Sequence, residues 1–200
     1  MATLITSLNT AQIASLSTTS IAALETADWA LFTSSQVAAL TTAQVQALET
    51  RDLVVLSTSA VQGFTTSAIT ALNTTQIGAL GTAQLQALST RQIAALETGD
   101  IVALSSAQLG AFSSTQIGAL TTAQVAAIET RDLAALTSTT LKALGTAQIV
   151  ALSTAQVAAL NTAQLASLTT TQVAALETGD IVALNTTQIG ALGTAQLQAL

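Results

Sequence analysis

The sequence contains no histidine, cysteine, proline or tyrosine, and its 200 residues include one methionine, one tryptophan and three phenylalanines. Without cysteine the chain cannot form a disulfide, a thiolate nucleophile or a cysteine-ligated zinc or iron–sulfur site. Without histidine it lacks the imidazole of a Ser-His-Asp triad or of a histidine metal site. We therefore predict no enzyme activity, no catalytic residue, no metal site and no cofactor.

Charge is scarce as well, because 7% of the residues are charged, against about 25% in an average soluble domain. Four basic residues and a net charge of −6 cannot neutralise a phosphate backbone, so we expect no nucleic acid partner. Half of the residues are hydrophobic, but polar residues interrupt every stretch well before the roughly 18 apolar residues of a membrane span. The first ten residues, MATLITSLNT, lack a basic region, so we also expect no Sec-type signal peptide.

What the chain does contain is an eight-residue repeat that runs without insertion or deletion from residue 1 to residue 200. Position 5 of each octad is apolar in all 25 octads, and position 8 is leucine in all but four. Position 2 is Thr or Ser in 24 octads, position 4 is Gln in 15 and Asp in 5, and position 7 is Ala in 19. The consensus x-Thr-x-Gln-(Ile/Val/Leu)-x-Ala-Leu predicts a solenoid, in which equal units stack on their neighbours.

The spacing within the octad favours one short helix per octad. Positions 5 and 8 are i and i+3 neighbours on one helix face, whereas on a β-strand they would point to opposite faces. One continuous helix is excluded because eight residues turn through about 800°, so the leucines would circle the axis. We predict an all-α solenoid of very short helices, and a β-solenoid with threonine ladders remains the alternative.

Polar residues at the start of each octad predict helix caps. Position 1 is Ser, Thr or Asn in 16 octads, and together with Gln at position 4 it forms a capping-box pattern. Five octads begin with Glu and have Asp at position 4, and there we expect Thr at position 2 to provide the cap. We expect capping to occupy the position-2 hydroxyls in general. The acidic pairs are Glu25/Asp28, Glu49/Asp52, Glu97/Asp100, Glu129/Asp132 and Glu177/Asp180.

Internal duplications indicate how many octads make one coil. Residues 73–88 recur at 185–200, which is fourteen octads later, and residues 97–104 recur at 177–184, which is ten octads later. Both intervals are even numbers of octads, and neither is a multiple of three octads. The three phenylalanines end octads 4, 8 and 14, which are all even-numbered. We therefore predict two octads per coil, in a single solenoid that spans residues 1–200 and is uncapped at both ends.

No cluster in this arrangement predicts chemistry. In a coil of two octads no two acidic pairs are neighbours on one side, so we expect no calcium site. Arg51 and Arg131 lie within Glu-Thr-Arg-Asp and are expected to form local ion pairs, whereas Lys142 is isolated. The aromatic residues occupy standard Leu or Ile positions, which predicts that they pack in the core and bind no ligand. They are Trp29, Phe32, Phe64 and Phe112.

Octads of the type TTAQVAAL, such as TTAQVAAI at residues 121–128, resemble octapeptide-repeat segments of large bacterial proteins. Those proteins are secreted or exposed at the cell surface and are often labelled adhesion or haem-utilisation exoproteins. The resemblance covers the whole chain and implies a repeat segment located outside a bacterial cell or at its surface. We expect no haem, because Met1 is the only residue that offers an axial-ligand side chain of the usual His, Cys, Met or Tyr types.

Repetition without a chemical site predicts a structural role, as a rod, a spacer or a self-assembling surface scaffold. An uncapped solenoid exposes its core at both ends, so we expect the chain to associate end to end, unless it is cut from a longer array. The alternative is a binding module for a repetitive ligand, such as ice, a glycan or a mineral lattice. That module would use the face that is rich in Thr and Ser.

Overall fold

A computed structural model describes residues 5–200, so Met1, the possible haem ligand considered above, lies outside the described residues. The described residues contain 24 α-helices of four to six residues, one 3-10 helix at Ile5–Ser7 and no β-strand. The predicted all-α solenoid of very short helices is confirmed, and the β-solenoid alternative is wrong. The chain divides into two compact units, Met1–Leu104 and Ser105–Leu200.

Each α-helix has the same place in its octad, because it begins at position 2 and ends at position 5, 6 or 7. The helices of the first unit are α1 (Thr10–Ser15), α2 (Thr18–Ala22), α3 (Thr26–Trp29), α4 (Ser34–Ala38), α5 (Thr42–Gln46), α6 (Thr50–Leu53), α7 (Thr58–Val61), α8 (Thr66–Ala71), α9 (Thr74–Ala79), α10 (Thr82–Ala87), α11 (Thr90–Ala94) and α12 (Thr98–Ala103). Those of the second unit are α13 (Ser106–Gly110), α14 (Ser114–Gly118), α15 (Thr122–Ala127), α16 (Thr130–Ala135), α17 (Ser138–Leu141), α18 (Thr146–Val150), α19 (Thr154–Ala158), α20 (Thr162–Ser167), α21 (Thr170–Val173), α22 (Thr178–Ala183), α23 (Thr186–Gly190) and α24 (Thr194–Leu197).

The ends of these helices follow from the octad pattern. The residue at position 1 has extended backbone angles and acts as the N-cap, as Asn73 does at φ −86° and ψ 166°. Its side chain accepts the N–H of Gln76 and the Gln76 side chain accepts the N–H of Asn73, which is the predicted capping box. At the other end, the N–H of Leu80 at position 8 donates to the carbonyl of Ile77 at 3.1 Å and closes the last turn.

Within each unit a helix packs against the helix three places later, as α4 does against α7 and α16 against α19. Three octads therefore make one coil, and the prediction of two octads per coil is wrong. The reason lies at the junctions, where the chain passes through two extended residues such as Leu16 and Ser17, with ψ of 140° and 156°. None of the described residues has positive φ, the usual means of reversing a chain sharply. Each junction is thus a corner, and three corners complete a coil.

The core lies inside the coils and is filled from positions 5 and 8. Ile77 and Leu80 are 0% and 1% exposed, and the same two positions are buried in most octads of both units. Trp29 is fully buried and stacks on Phe32, with ring centroids 4.3 Å apart. Phe64 and Phe112 are buried as well, so all four aromatic residues are core residues, as predicted.

Candidate functional surfaces

The most regular polar feature is the glutamine at position 4, which is buried although it is polar. Gln84 is 6% exposed, and its Oε1 accepts the N–H of Gly81 at 2.8 Å. Its Nε2 donates to the carbonyls of Leu53 at 2.7 Å and Leu56 at 2.8 Å, which are positions 5 and 8 of an octad in the preceding coil. One side chain therefore caps the start of its own helix and the end of a helix one coil away.

We call this arrangement the glutamine clasp. In each clasp, Nε2 donates to the position-8 carbonyl that lies 28 residues earlier, at 2.5–3.0 Å. The clasp residues are Gln36, Gln44, Gln76, Gln84, Gln92, Gln148, Gln156, Gln164, Gln172, Gln188 and Gln196. The clasps tie successive coils together within each unit, in addition to the apolar core.

The sequence predicted the hydrogen bonds that the clasp glutamine makes within its own octad. It predicted the capping box, which the structure confirms, but it missed the bonds to the preceding coil. A signal for them was present, because position 4 is Gln in 15 octads and Glu in none. A capping box accepts either residue, so the exclusion of Glu indicates that the N–H₂ group is required as a donor.

The octads that begin with Glu depart from the prediction. Glu97 is itself the N-cap and Thr98 is the first helical residue, so the expected cap by the threonine at position 2 is wrong. Asp100 replaces the glutamine as acceptor, because its Oδ2 receives the N–H of Glu97 at 2.9 Å. Placing carboxylates at the first turn agrees with the helix dipole.

The arginines behave as predicted. Arg51 Nε lies 2.6 Å from Oε2 of Glu49, with the two side chains 64% and 50% exposed. Arg131 Nε lies 2.9 Å from Oε2 of Glu129. Arg131 Nε also lies 3.2 Å from Oδ1 of the buried Asp132. These ion pairs are all local to one octad, and because the two arginine side chains are 64% and 66% exposed, water screens them and they add little stability.

The three-octad coil changes where the acidic pairs lie, because octads three places apart share a face of their unit. In the first unit Glu25/Asp28 and Glu49/Asp52 are neighbours in successive coils, and the prediction that no two pairs are neighbours is wrong. The predicted coil of two octads would have placed these two pairs on opposite sides, because they lie three octads apart. Even so, in the described part of the chain no three His, Cys, Asp or Glu side chains are grouped so that they could hold a metal ion.

Each unit also has one face without any charged side chain, which we call the charge-free face. In the first unit it is formed by residues 9–16, 33–40, 57–64 and 81–88, and in the second by residues 121–128, 145–152, 169–176 and 193–200. Hydroxyl and amide groups are the only polar side-chain groups on these faces. Such a face has no means of attracting an ionic ligand through opposite charge.

The hydroxyls at position 2 are on the surface. The N-cap of every described α-helix is at position 1, so the expectation that capping occupies the position-2 hydroxyls is wrong. Within a unit, position 2 of one coil lies beside position 3 of the next, since a Cβ built on Gly99 would be 3.4 Å from Cγ2 of Thr74. Among the described position-2 residues Thr26, Thr50, Ser106, Ser114 and Ser138 are half-buried and the others are exposed, and the Ser106 hydroxyl donates to Asp132 Oδ1. The result is rows of exposed hydroxyls on each unit.

The helices are also too short to cross a bilayer, which takes about 20 apolar residues. Over residues 5–200 no helix is both long and apolar enough to form a membrane span. The fold therefore defines a tandem-repeat protein built as an all-α solenoid of short helices.

Comparison with known families names the repeat. Six overlapping segments match the ALTTAQ repeat, at residues 45–82, 69–97, 93–127, 125–162, 149–178 and 173–200. These matches span more than half of the chain, which therefore belongs to the ALTTAQ repeat family. The motif ALTTAQ itself occurs at residues 39–44, where it joins the end of one octad, the corner and the clasp glutamine of the next. Comparison with curated proteins finds no match.

Proposed function

We propose that this repeat protein is a non-enzymatic structural element that serves as a rod, a spacer or a self-assembling surface scaffold. The observation that carries the proposal is the glutamine clasp. Each coil binds the preceding one through the same kind of buried hydrogen bond and the same apolar positions. A further coil can therefore be added through contacts of the same kind. Helices of four to six residues have no stability of their own, and stacking is what maintains them.

We extend this proposal to one solenoid over residues 1–200 whose end coils associate with those of a second copy. In the last octad Leu197 and Leu200 are 45% and 51% exposed, whereas the same positions of inner octads, such as Leu85 and Leu88, are 0% and 3% exposed. Apolar side chains at positions 5 and 8 thus favour a further coil as their partner. We also propose a location outside a bacterial cell or at its surface, which rests on the resemblance of the octads to repeats of such proteins.

Small-angle X-ray scattering of the full chain over a dilution series tests the structural role. A rod gives scattering with a constant cross-section, and end-to-end association lengthens the particle with concentration while leaving that cross-section unchanged. A compact globular profile would contradict the rod. A particle that thickens with concentration, or that stays monomeric at every concentration, would contradict end-to-end assembly.

A second candidate is a binding module for a repetitive ligand such as ice, a glycan or a mineral lattice. The observation that favours it is the row of exposed position-2 hydroxyls, which capping does not use. The test compares the variant Thr58→Val/Thr82→Val on the charge-free face of the first unit with Thr74→Val/Thr98→Val on the face that bears the acidic pairs. Thermal hysteresis or binding to insoluble polysaccharide should be lost in the first variant alone. Absence of both activities in the unmodified protein would remove this candidate.

A further inference from the structure

Five octads have aspartate where most octads have the clasp glutamine, and all five carboxyl groups are buried. They are Asp28, Asp52, Asp100, Asp132 and Asp180, which are 1–6% exposed. An ionised carboxylate accepts hydrogen bonds but donates none, so it cannot bind the carbonyls that Nε2 of glutamine binds. At these octads the junction with the preceding coil therefore lacks the donor half of the clasp.

The missing donor is clearest at the junction that contains Asp52. Both of its carboxyl oxygens are buried without a hydrogen-bond partner. In the register of the clasp, the corresponding position-8 carbonyl is that of Leu24, and no hydrogen bond from a described residue reaches its oxygen. A buried carboxyl group is therefore placed, by the register of the clasp, at a junction where no described group donates to the carbonyl end of the preceding octad. Buried oxygens in this situation favour an added proton.

The charged groups around Asp52 are few. On its own octad Arg51 Nε lies 4.0 Å from Oδ1 and Glu49 is paired with the same arginine. Of the two helices packed against α6, α3 contributes Glu25 and Asp28 and α9 contributes no charged group. The single cation is itself 64% exposed, so water screens its effect on the carboxyl.

Asp100 provides a second case without an arginine. Its carboxyl is 1% exposed, the only other charged residue of its octad is Glu97, and α9, which packs against α12 in the first unit, has none. The corresponding position-8 carbonyl is that of Leu72, which likewise receives no hydrogen bond from a described residue. Burial raises the pKa of both the Asp52 and the Asp100 carboxyl above the ordinary value of 3.8.

We propose that Asp52 and Asp100 are proton-dependent clasps between coils of the first unit. The neutral carboxyl donates its O–H to the carbonyl end of the octad one coil earlier, as the glutamine amide does elsewhere. The ionised carboxylate leaves that junction without a donor. Acidification therefore tightens the stacking of the first unit, and a neutral medium loosens it at these two junctions.

The direction of the pH dependence follows from the shifted pKa. When the folded-state pKa lies above the unfolded value, the group's contribution to stability is fully present below the unfolded value and is lost as pH rises through the folded-state pKa. These two carboxyls thus stabilise the folded chain at acid pH and cease to do so towards neutral pH. Carboxylates with ordinary ion pairs have the opposite effect, since acid weakens them.

The test compares the full chain with the double variant Asp52→Asn/Asp100→Asn. Asparagine has the size of the neutral carboxyl and carries a donor at every pH. The melting temperature is measured by circular dichroism. At pH 7.5 we expect that of the variant to exceed that of the unmodified chain by about 2–4 °C for each restored hydrogen bond. That gain should shrink as the pH falls towards 3.5, because the natural carboxyls take up protons and become donors themselves. A gain that is independent of pH, or no gain at pH 7.5, would overturn the proposal.

The matched control is Glu49→Gln/Glu97→Gln, which removes two carboxylates from the same two octads at exposed positions. This variant should retain the pH dependence of the unmodified chain, and loss of that dependence would assign it to surface charge instead. Carboxyl ¹³C titration of the unmodified chain measures both groups without any substitution. Midpoints at or below 3.8 would overturn the proposal. So would a higher melting temperature on addition of calcium chloride at pH 7.5, because a cation would then fill the junction in place of the proton.

Discussion

Replacing Gln84 by alanine tests the glutamine clasp most directly, because three hydrogen bonds depend on this one side chain. The change removes the acceptor of the Gly81 N–H and the donors to the carbonyls of Leu53 and Leu56. The N-cap residue Gly81 has no side chain that takes over as acceptor of N–H groups at the start of α10. At about 0.5–1.5 kcal/mol for each net hydrogen bond, the expected loss is about 1.5–4.5 kcal/mol.

The assay is thermal and urea unfolding of the full chain followed by circular dichroism. A loss of about 3 kcal/mol lowers the melting temperature by about 6–12 °C for a chain of this size. The matched control is Gln12→Ala, because Gln12 is exposed and accepts the N–H of Asn9 at 2.9 Å without any described bond to another coil. Its loss should stay within about 1 kcal/mol, as for a helix cap. Equal losses for Gln84→Ala and Gln12→Ala would refute the claim that the clasp joins coils.

Two further predictions concern close packing and surface charge. Gly63→Ala should lower stability by about 3 kcal/mol or more, because the added Cβ would lie 2.1 Å from the carbonyl oxygen of Ser34. Gly190→Ala should be neutral or slightly stabilising, because its added Cβ would have no neighbouring atom within 4 Å. Urea midpoints of the two variants measure the difference, and similar midpoints would contradict the close approach. Arg131→Ala should change stability by less than about 1 kcal/mol, because the arginine is 66% exposed and water screens its ion pairs with Glu129 and Asp132. A larger loss at low salt would show that the pair contributes more than its exposure suggests.

The features that the sequence predicted correctly are those that act within one octad. Asn73 and Gln76 lie three residues apart and cap their helix in the predicted way. Ile77 and Leu80 lie on one face of the same helix and are buried. Each of these relations depends on helix geometry alone, which eight residues suffice to specify.

The number of octads per coil was not accessible from the duplications. Residues 97–104 recur at 177–184, an interval of ten octads that is not a whole number of three-octad coils. Most described octads have an N-cap at position 1, end in the same kind of corner and bury positions 5 and 8, so one octad can replace another without regard to its place in the coil. Duplication therefore preserves the octad phase and carries no information on how many octads close a coil. The even intervals reflect the lengths of the copied blocks.

The incorrect coil length also concealed the clasp, because its partner is recognisable only from the correct one. Nε2 of Gln84 binds a carbonyl 28 residues earlier, which is one coil of three octads plus the half octad that separates position 8 from the next position 4. With two octads per coil the same side chain would have lain beside a different part of the chain. The preference for Gln over Glu at position 4 would then have had no acceptor to explain it. The same offset assigns the Leu24 and Leu72 carbonyls to Asp52 and Asp100, so whether those two aspartates act as clasps in acid is also a test of the three-octad coil.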